Sequence, residues 1–308
     1  MFADELQQYG PQSTPHPPPT PAAARSYCDR LARRHYENFT VATRLLPRAL
    51  RQHFCNVYAY CRWADDLADE TGDSDKSLEL LDWWESELRD CYQGKVRHPV
   101  FVALADTIDE FEIPIEPFID LLVAFRQDQR VNRYEHIEQL REYCRYSANP
   151  VGRLVLYLGR CHSPERVQWS DSICTGLQLA NFCQDVARDF DAGRIYLPLA
   201  ECRRFGYDES DFSRRECNEA FRRLLAAQVE QADGMLRDGT PLIAQMPPEL
   251  RLSVALFQRG GLAILDAIRR RDYDVWTVRP TLSKMEKLRI VAGCWWQLRR
   301  GTFPQSGS

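Results

Sequence analysis

Strands leave almost no trace in this chain. Alternating Val, Ile and Thr over strand lengths is nearly absent, which argues against a sheet and for an all-α fold. Also lacking is any apolar run near the ~18–20 residues that cross a bilayer, so no membrane span is expected. Met1–Gly10 has no apolar core of the kind a secretory leader needs. Positive charge is not in excess: 40 Lys and Arg stand against 44 Asp and Glu, a net charge of −4. No global basic field therefore exists to recruit nucleic acid. There is no Cys-x-x-Cys. The 11 cysteines lie scattered through helical patterns, at Cys55, Cys61, Cys144, Cys183 and Cys294 for example, and read as small buried hydrophobes in a reducing compartment. Gly260-Gly261 is no Gly-x-Gly-x-x-Gly, so a dinucleotide fingerprint is missing as well. These absences point to a soluble cytoplasmic protein, with a peripheral membrane contact left open.

What is present is helix. The chain has 308 residues, 44% of them hydrophobic, enough for one large domain with a real core. Residues 1–21 carry six prolines, from Pro11 to Pro21, and are expected to be a disordered or polyproline-like leader. One all-α domain is expected over 22–300, and a flexible tail over 301–308. Helices are expected from about 21 to 36, 48 to 71, 76 to 92 (capped by Ser74 or Asp75), 99 to 111, 115 to 131, 136 to 160 with an interruption at Asn149-Pro150, 164 to 191, 215 to 238, 247 to 273 and 281 to 300. Glu37–Thr40 reads as a break before a short helix. Arg194–Pro198 reads as an extended connector.

Two of these helices carry a line of carboxylates. On a 3.6-residue period, Tyr58, Arg62, Asp65 or Asp66, and Asp69 share one stripe, with Val57, Cys61, Ala64 and Ala68 beside it to pack. Gln178, Asn181, Asp185 and Asp189 share another, flanked by Leu177, Leu179, Phe182, Val186 and Phe190. Each stripe holds an Asp-x-x-x-Asp pair. Like charges at this spacing repel by about 0.2–0.5 kcal/mol even on an open surface, so positive charge belongs against them. If the two faced each other they would make a four-carboxylate mouth, a natural home for a hard cation such as Mg²⁺ with phosphate oxygens. A plain solvated acidic face explains one such pair well and two poorly.

The motifs Asp65-Asp-Leu-Ala-Asp69 and Asp185-Val-Ala-Arg-Asp189 resemble those of the squalene/phytoene synthase family. Tyr-Ala-x-Cys-Arg before the first, Gln-Leu-Ala-Asn before the second and Arg194-Ile-Tyr196 after it match as well, so the likeness covers about residues 25–300. Within the family, Glu37-Asn-Phe-Thr-Val41, Ser147-Ala-Asn-Pro-Val-Gly152, Phe182-Cys-Gln-Asp-Val186 and Asp191-Ala-Gly-Arg-Ile-Tyr-Leu-Pro198 resemble the hydroxysqualene synthase branch of hopanoid biosynthesis. The resemblance implies a single-domain isoprenoid-synthase helical bundle around a central cavity, a prenyl diphosphate substrate, Mg²⁺, and companion enzymes of the squalene pathway. It implies Asp65, Asp69, Asp185 and Asp189 as catalytic metal ligands, with Asp66 assisting, and Tyr58 at the reacting centre. His35, Phe39, Arg62, Gln178, Asn181, Gln184, Arg194 and Tyr196 are implied at the substrate.

Departures matter too. Many relatives carry Arg where this chain has Gln184, and dehydrosqualene-forming relatives place Phe where it has Thr43. Alternative readings stand beside these roles. Arg62 is expected either to clamp phosphate or to pair with Asp65 or Asp66 along its helix. Phe39 and Trp63 suit a core as well as a substrate wall. Trp83-Trp84 and Trp295-Trp296 read as packing or interface residues, and Lys284, Lys287 and Arg289 as solvated. Two rival functions remain: a presqualene diphosphate or phytoene synthase joining two prenyl diphosphates, and a non-catalytic assembly factor on the same fold.

Overall fold

The computed structural model describes residues 2–14, 17–34 and 46–300. Sixteen helices run through them: α1 Phe2–Tyr9, α2 Pro21–Arg34, α3 Arg48–Asp69, α4 Ser74–Tyr92, α5 Pro99–Phe111, α6 Glu116–Asp128, α7 Ile137–Ser147, α8 Asn149–Leu158, α9 Pro164–Gln184, α10 Val186–Asp191, α11 Leu199–Phe205, α12 Glu209–Arg214, α13 Glu219–Asp238, α14 Pro241–Gln245, α15 Pro248–Arg270 and α16 Lys284–Arg300. No strand forms among the described residues; the one bridge pairs Arg133 with Ile195 in the connector. The all-α expectation holds, and so does the interruption before Pro150, where α7 gives way to α8 at Ala148. The cap before α4 is Asp73 rather than Ser74 or Asp75. Its carboxylate accepts from the backbone N–H of Asp75 at 2.9 Å and of Lys76 at 3.0 Å.

The backbone contacts fall into two compact units, residues 1–130 with 154–160 and residues 131–153 with 161–308. In the first, α3 is the central helix and packs on α2, α4, α5 and α6. Its inner face carries Tyr60, Trp63, Ala64 and Leu67, all fully buried. Trp63 stacks on Trp84 with ring centroids 5.3 Å apart and donates its indole N–H to the Tyr27 hydroxyl at 2.9 Å. It therefore belongs to the core, as does Trp84. Asn56 is buried yet satisfied: its amide donates to the Ala103 carbonyl and to Thr107 Oγ1, both at 2.9 Å. The Ala68 carbonyl, at the end of α3, accepts from Ser77 Oγ and Gln129 Nε2, both at 3.0 Å, which fixes the turn that carries Asp69.

The leader departs from the expectation of disorder. Residues Phe2–Tyr9 form a helix whose Phe2 ring meets Trp63 edge-on at 5.5 Å. Glu5 accepts from the Tyr27 hydroxyl at 2.8 Å. The prolines begin only at Pro11, so the first ten residues were free to use Phe2, Leu6 and Tyr9 as an apolar face.

In the second unit α9 is central, packed along α13 and against α15. Ser163 caps it and Pro164 occupies its first turn. Two glycines allow the close approach: a Cβ on Gly176 would lie 2.9 Å from the Leu236 backbone nitrogen, and one on Gly261 would lie 2.7 Å from Leu177. The expected single helix over 164–191 is broken at Asp185, where the backbone leaves helical angles (φ −104°, ψ 15°) before α10 begins.

Candidate active site

The first motif sits on the half-open face of α3. Arg62 reaches one turn ahead along its own helix, 3.0 Å from Asp65 Oδ2, in contact with Asp66 Oδ1, and 3.8 Å from Glu70. Asp65 and Asp69 face outward, whereas Asp66 is buried. Burial pushes the Asp66 carboxyl up to about 6 even with Arg62 pulling it down. Asp66 is thus the inward anchor of Arg62, off the stripe that Tyr58, Arg62, Asp65 and Asp69 share. Tyr58 is half-buried, and burial raises its phenol, with Arg62 opposing.

The second motif spans the break between α9 and α10. Asp185 is almost fully buried and is gripped by Arg279, whose Nε contacts Oδ1 and whose second nitrogen lies 2.8 Å from Oδ2. This is the two-pronged match of guanidinium to carboxylate. Gln184, also buried, holds the same arginine: its side-chain oxygen accepts from Arg279 at 3.1 Å while its amide donates to the Pro280 carbonyl at 2.5 Å. The Gln184 amide is therefore turned to the 279–280 loop. Arg279 was not singled out from the sequence. Its only sequence signal is an arginine in a loop without an acidic residue three or four positions away.

One turn past Asp185, Asp189 has an Oδ2 that is buried with no hydrogen-bond partner among the described residues. Burial first, then the neighbouring Asp185 charge, push its carboxyl up to about 7, against the pull of Arg194 and Arg279. Asp189 and Arg194 border a cavity of about 10 Å³ walled by Phe182, Val186, Tyr196 and Phe212, roughly the room one water needs. Arg194 is half-buried and its backbone N–H donates to the Asp189 carbonyl at 2.7 Å. Tyr196 is buried in an aromatic stack, its ring parallel to Phe182 at 4.0 Å and to Tyr134 at 5.8 Å. Gln178 is half-buried and Asn181 exposed on the same helix. His35, Phe39 and Thr43 lie outside the described residues. Among the described residues no three His, Cys, Asp or Glu side chains converge as a ready-made metal cluster.

The fold and these sites define an all-α protein in which each unit's central helix ends in an arginine-backed pair of aspartates. The family model for squalene/phytoene synthases matches residues 32–286, and the chain belongs to that family. It is 33% identical over 284 residues to a phytoene synthase from Arthrospira platensis, covering 87% of this chain and 92% of that one. It is 29% identical over 301 residues to a 15-cis-phytoene synthase from Synechocystis sp., covering 92% and 89%. Among solved structures it resembles the squalene synthase HpnC from Alicyclobacillus acidocaldarius, with 45% identity, a TM-score of 0.79 and coverage of 82% of this chain and 95% of that one. It also resembles a dehydrosqualene synthase solved with a ligand, with 26% identity, a TM-score of 0.83 and coverage of 91% and 98%.

Proposed function

We propose that this protein is a hydroxysqualene synthase, converting presqualene diphosphate and water to hydroxysqualene and diphosphate. The observation that carries the reading is the set of charges the two motifs share. Each sets an arginine on its first aspartate, Arg62 on Asp65 and Arg279 on Asp185, with a second aspartate one turn on. Such a mixture of fixed cations and carboxylates suits a diphosphate brought in with a metal ion. The branch-like phrases around Ser147 and Phe182, and the 45% identity to the squalene synthase HpnC, support this branch over the phytoene synthases.

The donors fit Mg²⁺. They are carboxylate oxygens throughout, and the orphaned Asp189 Oδ2 is a buried acceptor awaiting positive charge. Mg²⁺ is usually held by one or two carboxylates together with substrate phosphates, so no complete protein cage is required. Each pair, Asp65 with Asp69 and Asp185 with Asp189, offers carboxylates that would hold such an ion, and when bound it would supply charge neutralisation of the departing diphosphate. Arg62, Arg194 and Arg279 supply fixed positive charge for the phosphate oxygens. The C–O bond to the diphosphate breaks with its electron pair leaving on oxygen. The carbocation is then captured by a water oxygen, which loses a proton. Tyr58 presents a ring on the stripe beside Arg62, where a cation gains about 0.5–2 kcal/mol from a well-placed face.

Product analysis from presqualene diphosphate and Mg²⁺, with and without NADPH, tests this. An alcohol in both samples, with its oxygen drawn from labelled water, is the expected result. Squalene appearing only with NADPH would replace the reading with a reductive synthase. Rapid use of farnesyl or geranylgeranyl diphosphate without consumption of presqualene diphosphate would favour an earlier, condensing step, as the phytoene synthase relatives suggest. No diphosphate release from any of these would favour a non-catalytic role.

A further inference from the structure

Helix α16 buries one residue along its length, Cys294. Its outer face is apolar: Met285 is 61% exposed, Leu288 62%, Trp295 47% and Trp296 49%. With Ala292, also exposed, these residues are spaced i, i+3, i+7, i+10 and i+11, which makes one stripe down a helix. Single exposed apolar side chains are ordinary, but a continuous stripe of them marks an interaction surface.

The charges on this helix point to its partner. Lys284, Lys287, Arg289, Arg299 and Arg300 stand against one acidic residue, Glu286. That carboxylate is already engaged by Arg270 at 2.8 Å and by the Ser283 backbone N–H and hydroxyl, both at 2.8 Å. At 100° per residue, Lys284 borders the stripe on one side, and Arg289 and Arg300 border it on the other. The Arg299 guanidinium lies over the Trp295 ring at 3.8 Å and Arg300 over Trp296 at 3.7 Å. The rest of the chain more than cancels this charge, since the net is −4, so the basic set is local to this face.

We propose that the outer face of α16 docks on an anionic lipid bilayer, lying in the plane of the headgroups. Met285 and Leu288 would enter the acyl boundary. The tryptophans would sit at headgroup depth, where their amphipathic rings are favoured. The flanking lysine and arginines would meet the anionic headgroups. A second copy of this chain is the poorer occupant, because a two-fold contact sets the same patch against itself and brings cations against cations. The helix does not cross the membrane: no described helix is long and apolar enough to do so. The docking stands independently of which prenyl diphosphate the protein uses.

Co-sedimentation of the full chain with large unilamellar vesicles tests the inference. One set would be phosphatidylcholine alone and the other phosphatidylcholine with phosphatidylglycerol. Binding is expected to the anionic vesicles, to weaken steeply as salt rises, and to be slight on neutral ones. The double variant W295S/W296S should lose at least about tenfold in vesicle affinity with unchanged circular dichroism, because both side chains are about half exposed and neither belongs to the buried core. K284E/R289E should lose anionic binding likewise. Absence of binding by the wild type, equal binding to both vesicle types, or unchanged binding by both variants would each overturn the proposal. A concentration-dependent dimer abolished by W295S/W296S would assign the stripe to a second copy instead.

Discussion

The two aspartate motifs look alike in sequence and are built differently. On α3 the arginine comes from the same helix, three and four positions before the carboxylates it meets. Beyond α9 it comes from Arg279, 94 positions away, and is steadied by Gln184, whose amide in turn donates to the Pro280 carbonyl. The first arrangement is fixed as soon as the helix forms. The second exists only when a distant loop has docked. A local pair tolerates rearrangement because its partners move together, whereas a tertiary pair ties the position of a loop to the charge of one buried carboxylate.

The largest expected effect falls on both motifs alike. Asp65→Asn and Asp185→Asn should each lower turnover at least about 100-fold, the scale of losing a charge-stabilising group at the reacting centre, with little change in far-UV circular dichroism. Turnover assays with Mg²⁺ check this; wild-type activity in either variant would remove that motif from the site. The contrast sharpens with the arginines. Arg279→Ala should cost about 2 kcal/mol of stability, because a charged hydrogen-bonding partner of a buried group is lost. Arg62→Ala should cost less, about 1 kcal/mol, because the buried Asp66 carboxyl, already raised to about 6, can take up a proton once Arg62 is gone. Denaturant titration separates the two, and equal losses would break the distinction. Gln184→Ala combined with Arg279→Ala should be less than additive, since one residue acts through the other.

A chain beginning at Ala22 tests the first motif's surroundings. Removing Phe2 and Glu5 should destabilise by about 2 kcal/mol, the scale of one large buried apolar side chain. Amide exchange should quicken around Trp63 and stay unchanged around Asp185. Catalytic and structural silence of the truncation would return residues 1–21 to the status of a loose leader. A separate effect is on pH dependence. Asp189 holds its proton to about 7 when folded and to the ordinary carboxylate range when unfolded. The native state therefore binds more protons between about pH 4 and 7, and metal-free stability falls as pH rises through that window. Asp189→Asn should remove this slope, so its melting temperature should gain on the wild type from pH 4 to 8; a constant gap would count against a buried, proton-holding Asp189.

Legibility in the sequence followed the same division. Helical periodicity placed α3 and α5 within a few residues and the start of α9, but not its end at Gln184, and the stripe on α3 emerged as Tyr58, Arg62, Asp65 and Asp69, because i, i+3 and i+4 relations are fixed by helix geometry alone. The choice between Asp65 and Asp66 needed the packing, which turned Asp66 inward. Arg279 was invisible because nothing within a helical turn of it signals a partner. The resemblance implies Gln184 at the substrate, and its tie to Arg279 and Pro280 depends on a loop contact that no periodicity encodes. The leader misled because proline density was averaged over 21 residues, hiding a proline-free stretch with three well-spaced apolar side chains. The Trp295-Trp296 pair read as packing or interface, and only exposure separates the two.

Helix α8 is divided between the units: its start belongs with the second and its end, from Leu154, with the first. Leu154 and Leu158 are both buried in the apolar core that α3 anchors. During synthesis, then, that core stays incomplete until residues 131–153 of the other unit have already left the ribosome. Emerging N-terminal segments usually fold as soon as their core is present. Here the order of translation and the order of completion are interleaved, so a nascent chain halted near residue 130 would display an unclosed apolar face to chaperones, and one released past residue 160 would not.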